Sequence, residues 1–293
     1  MKFLVGIGSK EYSEPTLNIG SRIAKSFGAD LSVVYVGPKP KQIHEGRINL
    51  VRDALANWEI YHPGIEILKW AFDYLHDSSF LEEKEEIDVF HPENMVEEKG
   101  RFRMVLPARY GQTISLILRE GDIIGELRRE CNQDDYTLTI IGGSKKRRMA
   151  HNLIQYIPTS VLVSENVDLS REYKVLLCVD DSEATKRAVR FGATIAQNLE
   201  MAVELLTVSK TTHFGSGYRG AARSAARYLD SKNITYNQQF LTGDPVRTFV
   251  KVAGDDHIIV MGLSTQSPLK KFFVGSKPIK TLELGNCPIL VVR

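Results

Sequence analysis

Ile258-Ile259-Val260-Met261-Gly262-Leu263-Ser264-Thr265, followed ten residues later by Gly275-Ser276, is the stretch that decides the fold. Its first half is an apolar, β-branched run of the kind that forms a strand buried on both faces. The run breaks at Gly262 into a polar loop, and a second glycine with a hydroxyl follows at Gly275-Ser276. A buried strand that feeds a loop and then a helix start is a candidate phosphate cradle. Glycine lets backbone approach an anion, and the first N–H groups of a helix point toward it. The plainer reading is two unrelated glycines, one ending a strand and one starting a helix.

Outward from this stretch, the chain repeats itself. Residues 2–36 lie on residues 174–208 without a gap: Lys2 on Lys174, Leu4 on Leu176, Glu11 on Glu183, Gly20 on Gly192, Ile23-Ala24 on Ile195-Ala196 and Val36 on Val208. Further on, Gly121-Asp122 lies on Gly243-Asp244 and Gly142 on Gly262. The offset shrinks between the two matches, so the first copy carries an insertion, placed within 38–111. A self-match through strand, helix and strand marks two tandem domains, with expected limits 1–166 and 167–293.

Each copy alternates strand and helix. In the second, the expected strands are 174–180, 202–208, 234–241, 257–261 and 288–292. Asp181 or Ser182 suits the N-cap of the first helix. That helix puts Ala184, Ala188, Phe191, Ile195 and Leu199 on one stripe. A second helix is expected over 218–230, and a last one over 277–284. Gly243-Asp244-Pro245 reads as turn, cap and first-turn proline. Such alternation predicts two doubly wound, Rossmann-like parallel sheets. In these sheets ligands bind at the carboxyl ends of strands, where the strand order reverses.

Composition agrees with two ordinary domains. The chain has 293 residues, 43% of them hydrophobic and 25% charged, so each half can bury a core. A net charge of +2 gives no global argument for a nucleic-acid or membrane partner, and none is expected. Cys131, Cys178 and Cys287 are isolated, which speaks against a disulfide framework or a zinc ribbon. With no apolar run of membrane-spanning length, the expectation is a cytoplasmic protein with no metal site.

The spacing of Gly262, Gly275 and Ser276 resembles the phosphate-binding motif of the universal stress protein family. In that motif a glycine is followed by two residues, a glycine, nine residues, a glycine and a Ser or Thr. The second copy also resembles the family in Val179-Asp180-Asp181-Ser182-Glu183 and in the closing Cys287-Pro288-Ile289-Leu290-Val291-Val292. The resemblance covers nearly all of 172–293. It implies strand order 3-2-1-4-5 and a site for ATP or another adenine nucleotide, with Mg as a companion ion. It further implies that Asp180 contacts the nucleoside, that the backbone of Val208 contacts the adenine, and that Met261 helps enclose the nucleoside. Gly262, Gly275 and Ser276 would hold phosphates. Thr265 departs from the motif's middle glycine. Its Cβ enters space that a phosphate needs, while its hydroxyl can donate a hydrogen bond. Asp180 can equally serve as a helix cap.

The first copy has Gly8 where the second has Asp180, and Lys145-Lys146-Arg147-Arg148 near its missing Gly-Ser pair. It is expected to be structural, or to bind something other than ATP. In its insertion, 50–61 and 65–81 have helical spacing, with Trp58, Trp70 and Phe72 as core candidates. Glu82-Glu83-Lys84-Glu85-Glu86 reads as a solvated acidic turn, and 87–90 and 101–106 as short strands. A long insertion suggests a surface for a protein partner.

Three function classes fit. A nucleotide-binding regulatory module in the stress response leads. A slow ATPase or adenylyl-transferring enzyme is second; the loop 262–276 holds no acid or histidine for it. A scaffold with vestigial pockets is third. The fifth strands, 160–163 and 288–292, are expected to pair antiparallel within one chain, because an apolar edge invites pairing and the linker is short. Tandem units could associate further as a homodimer.

Overall fold

The computed structural model describes residues 1–38, 63–82, 88–109, 111–142, 150, 153–154, 156–164, 167–168, 170–263 and 287–293. Contacts group the chain into two units, Met1–Tyr136 and Thr137–Arg293. The sequence repeat divides at 166. The contact boundary falls earlier because the strands at 138–142 and 160–164 hydrogen-bond into the sheet of the second unit.

The first unit contains β1 (Lys2–Ile7), α1 (Lys10–Ser26), β2 (Asp30–Gly37), α2 (Pro63–Asp77) and a 3-10 turn at Pro92–Asn94. There follow β3 (Val96–Glu98), β4 (Arg101–Pro107), β5 (Thr113–Glu120) and α3 (Ile123–Gln133). Its strands lie in the order β1-β2-β5-β4-β3. β1, β2 and β5 are parallel, and β4 and β3 continue the sheet antiparallel.

The second unit contains β6 (Leu138–Gly142), β7 (Ser160–Ser164), β8 (Lys174–Cys178), α4 (Glu183–Asn198), β9 (Val203–Ser209) and α5 (Ser216–Ser231). It ends with β10 (Tyr236–Thr242), α6 (Pro245–Ala253), β11 (His257–Gly262) and β12 (Ile289–Val292). The order is β10-β9-β8-β11-β12-β7-β6. Its first five strands give the expected 3-2-1-4-5 arrangement, all parallel.

Burial explains the strands. Val175, Leu176 and Leu177 are essentially inaccessible, as are Ile258, Ile259 and Val260, so these neighbours are covered on both faces. α4 lies close over them. A Cβ on Gly192 would meet Leu177 Cδ2 at 2.5 Å and Val260 Cγ1 at 3.1 Å, so the glycine is what lets helix and sheet touch.

The repeat is visible in backbone detail. Gly121 and Gly243 adopt φ of 149° and 152°. Their N–H groups donate to the last residues of β2 and β9, Gly37 O and Ser209 O, at 2.9 Å each. The following aspartates both cap helices: Asp122 accepts from Gly125 N at 2.8 Å, and Asp244 from Arg247 N at 3.0 Å. Each cap is worth about 1 kcal/mol. Ser13 Oγ accepts from Gly8 N at 2.8 Å, as Thr185 Oγ1 accepts from Asp180 N at 3.3 Å.

Within the insertion, α2 spans Pro63–Asp77 rather than 65–81. Phe72 is buried, but Trp70 is only half-buried and leans on Tyr74 with ring centroids 6.1 Å apart. Residues 88–90 form no strand; the hairpin arm before β4 is Val96–Glu98 instead. It forms there because Val96, Glu97 and Glu98 find partners in Arg103, Phe102 and Arg101 across the ladder. The expected helices at 50–61 and 277–284, Trp58, and 83–86 of the acidic run lie outside the described residues. The three cysteines are free and buried. No described helix is long and apolar enough to cross a membrane.

Candidate functional site

The strand order reverses between β8 and β11. From β8 the chain leaves through α4 to β9 on one side, while β11 flanks the other. Side chains just past β8 therefore stand at the mouth of a natural crevice. A cleft of about 310 Å³, counting the part open to solvent, lies there. Cys178, Val179 and Asp180 form one wall, Val208 of β9 another, Tyr218 of α5 a third, and Pro245 and Phe249 of α6 the last.

Asp180 is held rigidly. Its Oδ1 accepts from Ser182 N at 3.0 Å, from Ser182 Oγ at 2.6 Å and from Thr185 Oγ1 at 2.6 Å. These bonds close the turn into α4, whose N-cap is Ser182. The helix-entry role that the sequence allowed for Asp180 is thus real, and the same residue also lines the cleft. Val208 is buried and is the penultimate residue of β9, which runs one residue past the strand end expected from the sequence. Met261 is buried in β11 and is not among the residues lining the cleft.

Gly262 ends β11 against the start of α4. A Cβ there would lie 2.4 Å from the Ala184 carbonyl carbon and 2.5 Å from its oxygen. Helix packing alone therefore requires glycine at 262, whatever else the backbone contacts. Thr265, Gly275 and Ser276 lie outside the described residues.

Tyr218 is one residue that the sequence reading missed. α5 starts beside Asp181, close enough that a Cβ on Gly217 would meet Asp181 Oδ2 at 3.0 Å. The next residue, Tyr218, thereby comes to the cleft. Burial holds its hydroxyl above the usual tyrosine range, and the Asp181 and Asp180 carboxylates push the same way. Burial likewise raises the Cys178 thiol, helped by Asp180 and Cys287. Pro245 and Phe249 were also missed as site residues. Pro245 was legible as a helix start, and Phe249 lies on the buried side of α6. The cleft thus offers apolar walls, one aromatic hydroxyl and one fixed carboxylate. That donor set suits a flat, hydroxyl-bearing ligand, with the walls taking a ring and the carboxylate taking hydroxyls.

In the first unit, Gly8 occupies the position of Asp180. A Cβ at Gly8 would meet nothing within 4 Å, so the turn is kept and the carboxylate is lost.

Known proteins place these observations. Residues 173–293 match the model of the universal stress protein family. A universal stress protein from Archaeoglobus fulgidus DSM 4304 has a similar structure, with a TM-score of 0.60 at 12% identity over 100% of this chain and 96% of its own. A protein of unknown function from Pseudomonas aeruginosa PAO1 gives 0.57 at 14% identity over 99% and 92%. The cytoplasmic domain of a prokaryotic cation chloride cotransporter gives 0.54 at 12% over 99% and 94%. At these identities the likeness is one of fold. No curated protein matches the chain. The segment 173–293 is therefore a universal stress protein domain, set in a chain that follows the fold of a solved member of that family along its whole length.

Proposed function

We propose that the chain is a regulatory, nucleotide-binding protein of the stress response whose second copy holds an adenine nucleotide. The observation that carries the reading is Asp180, fixed by three donors at the switch-point cleft of a universal stress protein domain. In this reading the adenine lies among Val208, Pro245 and Phe249, with the Val208 backbone reading its edge. Asp180 and the Tyr218 hydroxyl take the ribose hydroxyls. Gly262, Thr265, Gly275 and Ser276 take the phosphates, with Mg beside them. The first copy, with Gly8 in place of the carboxylate, is structural.

Binding rather than turnover is the reading that the cleft supports. Asp180 is its one carboxylate; its Oδ1 closes the turn through three hydrogen bonds, and in this reading the carboxylate is engaged with the ribose rather than aimed at a phosphate. A general base needs an oxygen aimed at the proton it removes. The isolated, buried thiols suit a reducing compartment, in keeping with a cytoplasmic location.

Calorimetry of the full chain with adenosine, AMP, ADP, ATP and cyclic AMP tests the assignment. Asp180→Asn keeps an acceptor for Ser182 and Thr185 while removing the charge. It should weaken every one of these ligands by about tenfold, the value of one charge-assisted hydrogen bond. Equal affinity in the parent and the variant would remove Asp180 from the site. Steady phosphate release that scales with protein concentration would favour the enzyme instead.

A further inference from the structure

The far edge of the second unit has a surface that nucleotide binding does not use. β10 is the last strand on that side and among the described residues pairs only with β9. Its sequence, Tyr236-Asn237-Gln238-Gln239-Phe240-Leu241-Thr242, contains no charge, no proline and no glycine. Proteins normally blunt such an edge with a lysine, a proline or a bulge. The equivalent strand of the first copy, β5, is covered instead, by β4 of the inserted hairpin.

Helix α5 packs on β9, the neighbour of this strand. Arg219, Arg223 and Arg227 are all exposed, and among the described residues none has an ion-pair partner. Which way the row faces follows from Phe214, just before α5, whose ring meets Phe240 of β10, and from Asp230: burial raises the Tyr236 hydroxyl of β10 and the nearby Asp230 carboxylate pushes it the same way. At about 100° per residue, Arg219 and Arg223 lie within about 20° of Asp230 around the helix, so they flank β10 as it does. Gln238 and Phe240 share the face of Tyr236 by strand alternation. Phe240 is 42% exposed and meets Phe214 edge-on, with ring centroids 5.2 Å apart. The edge is thus a shelf of unpaired backbone, an exposed aromatic and a row of unpaired arginines.

We propose that β10 is a docking edge for an extended acidic segment of a partner protein. The segment adds to the sheet as a strand and sets the carboxylates of alternate residues against Arg219 and Arg223. The spacing fits. Residues four apart on a helix are about 6 Å apart along its axis, and alternate residues of a strand are about 6.7 Å apart. The backbone supplies hydrogen bonds for any sequence, and the arginines select acidic ones. A second copy of this chain is the poorer occupant. Two β10 strands joined antiparallel about a twofold axis would bring two arginine rows together along one seam, and like charges disfavour that.

The test is fluorescence anisotropy of the full chain with a labelled peptide of alternating threonine and glutamate. A peptide of the same composition with its glutamates consecutive, and an oligothymidylate, serve as comparisons. The alternating peptide should bind best and weaken as salt rises. Arg219→Glu with Arg223→Glu should weaken it by about tenfold or more, two exposed pairs being turned to repulsion. Methylating every second peptide nitrogen, on the side that would face β10, should abolish binding with the protein unchanged. Tighter binding of the oligothymidylate would overturn the proposal in favour of nucleic acid. Indifference to the methyl groups or to the double variant would overturn it outright. A chain that dimerises through β10 in sedimentation, with no peptide bound, would assign the edge to a second copy and overturn it too.

Discussion

Gly262 shows how one residue can look functional for one reason and be required for another. Its spacing to Gly275 and Ser276 suggests a phosphate cradle, yet the nearest atoms to its missing Cβ belong to the Ala184 backbone. Backbone cannot swing aside as a side-chain tip can. Gly262→Ala should therefore destabilise the chain by about 1–3 kcal/mol, the usual cost of overpacking, in urea unfolding without ligand. A change below about 0.5 kcal/mol would mean that α4 can slide and that packing does not fix this glycine. Asp180 was legible because its place after a buried strand is a matter of local order. Tyr218 was not, because it reaches the cleft only through the contact of α5 with Asp181, and that contact joins residues far apart in sequence. Phe249 was hidden differently: an aromatic on the buried side of a helix reads as core, and only the strand order brings it beside Asp180.

At the scale of elements, the inserted hairpin explains why two copies of one strand differ so much. β5, Thr-Ile-Ser-Leu-Ile-Leu-Arg-Glu, is interior because β4 lies beyond it, whereas β10 is polar because nothing described does. The hairpin is locked to α3 by charge. Glu130 accepts from Arg101 of β4, from Arg119 Nε of β5 at 2.6 Å and from the Tyr136 hydroxyl at 2.7 Å. Arg101 also donates to Glu98 at 2.8 Å and to Asp134 at 2.9 Å. Both arginines are at most 3% exposed. None of this was legible, since the residues are scattered from 98 to 136 and only the antiparallel register sets Arg101 beside Arg119. The network has a pH signature. The Arg101 hydrogen bond holds the Glu98 carboxyl below its ordinary 4.5, with Arg103 assisting. Burial raises the Asp134 carboxyl, but Arg101 and Lys2 outweigh it and the net shift is downward. A carboxyl lowered by folding stabilises the fold above its unfolded value, and that stability is lost as pH falls through the folded value. Thermal unfolding should therefore steepen below about pH 4.5, and Glu98→Gln should flatten that slope while lowering Tm at pH 7. Parallel profiles for the parent and the variant would show that Glu98 takes no part in the linkage.

Across the whole molecule, the decisive feature is that the second copy's sheet does not end with the second copy. β12 pairs antiparallel with β7, Ile289 with Val163, Leu290 with Leu162 and Val291 with Val161. β7 lies before the linker and belongs to the first repeat by sequence. Arg293 N reinforces the seam by donating to Ser160 Oγ at 3.3 Å. This pairing was legible from composition, because an apolar Ile-Leu-Val-Val run cannot be left as a bare edge. Which strand would cover it depended on the two copies sharing one chain, which keeps the local concentration of β7 high. A fragment beginning at Asp168 loses β6 and β7 and bares β12. Its remedy is to pair β12 with β12 of another fragment, so it should run as a dimer in sedimentation while the parent shows no association through this strand. Leu290→Lys separates the cases. In the fragment the charge should abolish dimerisation. In the parent, where Leu290 is fully buried against Leu162, it should instead cost several kcal/mol of stability, because an ammonium would be left there without a partner. A monomeric fragment as stable as the parent would show that the β7–β12 seam contributes nothing and that the second copy folds as an independent domain.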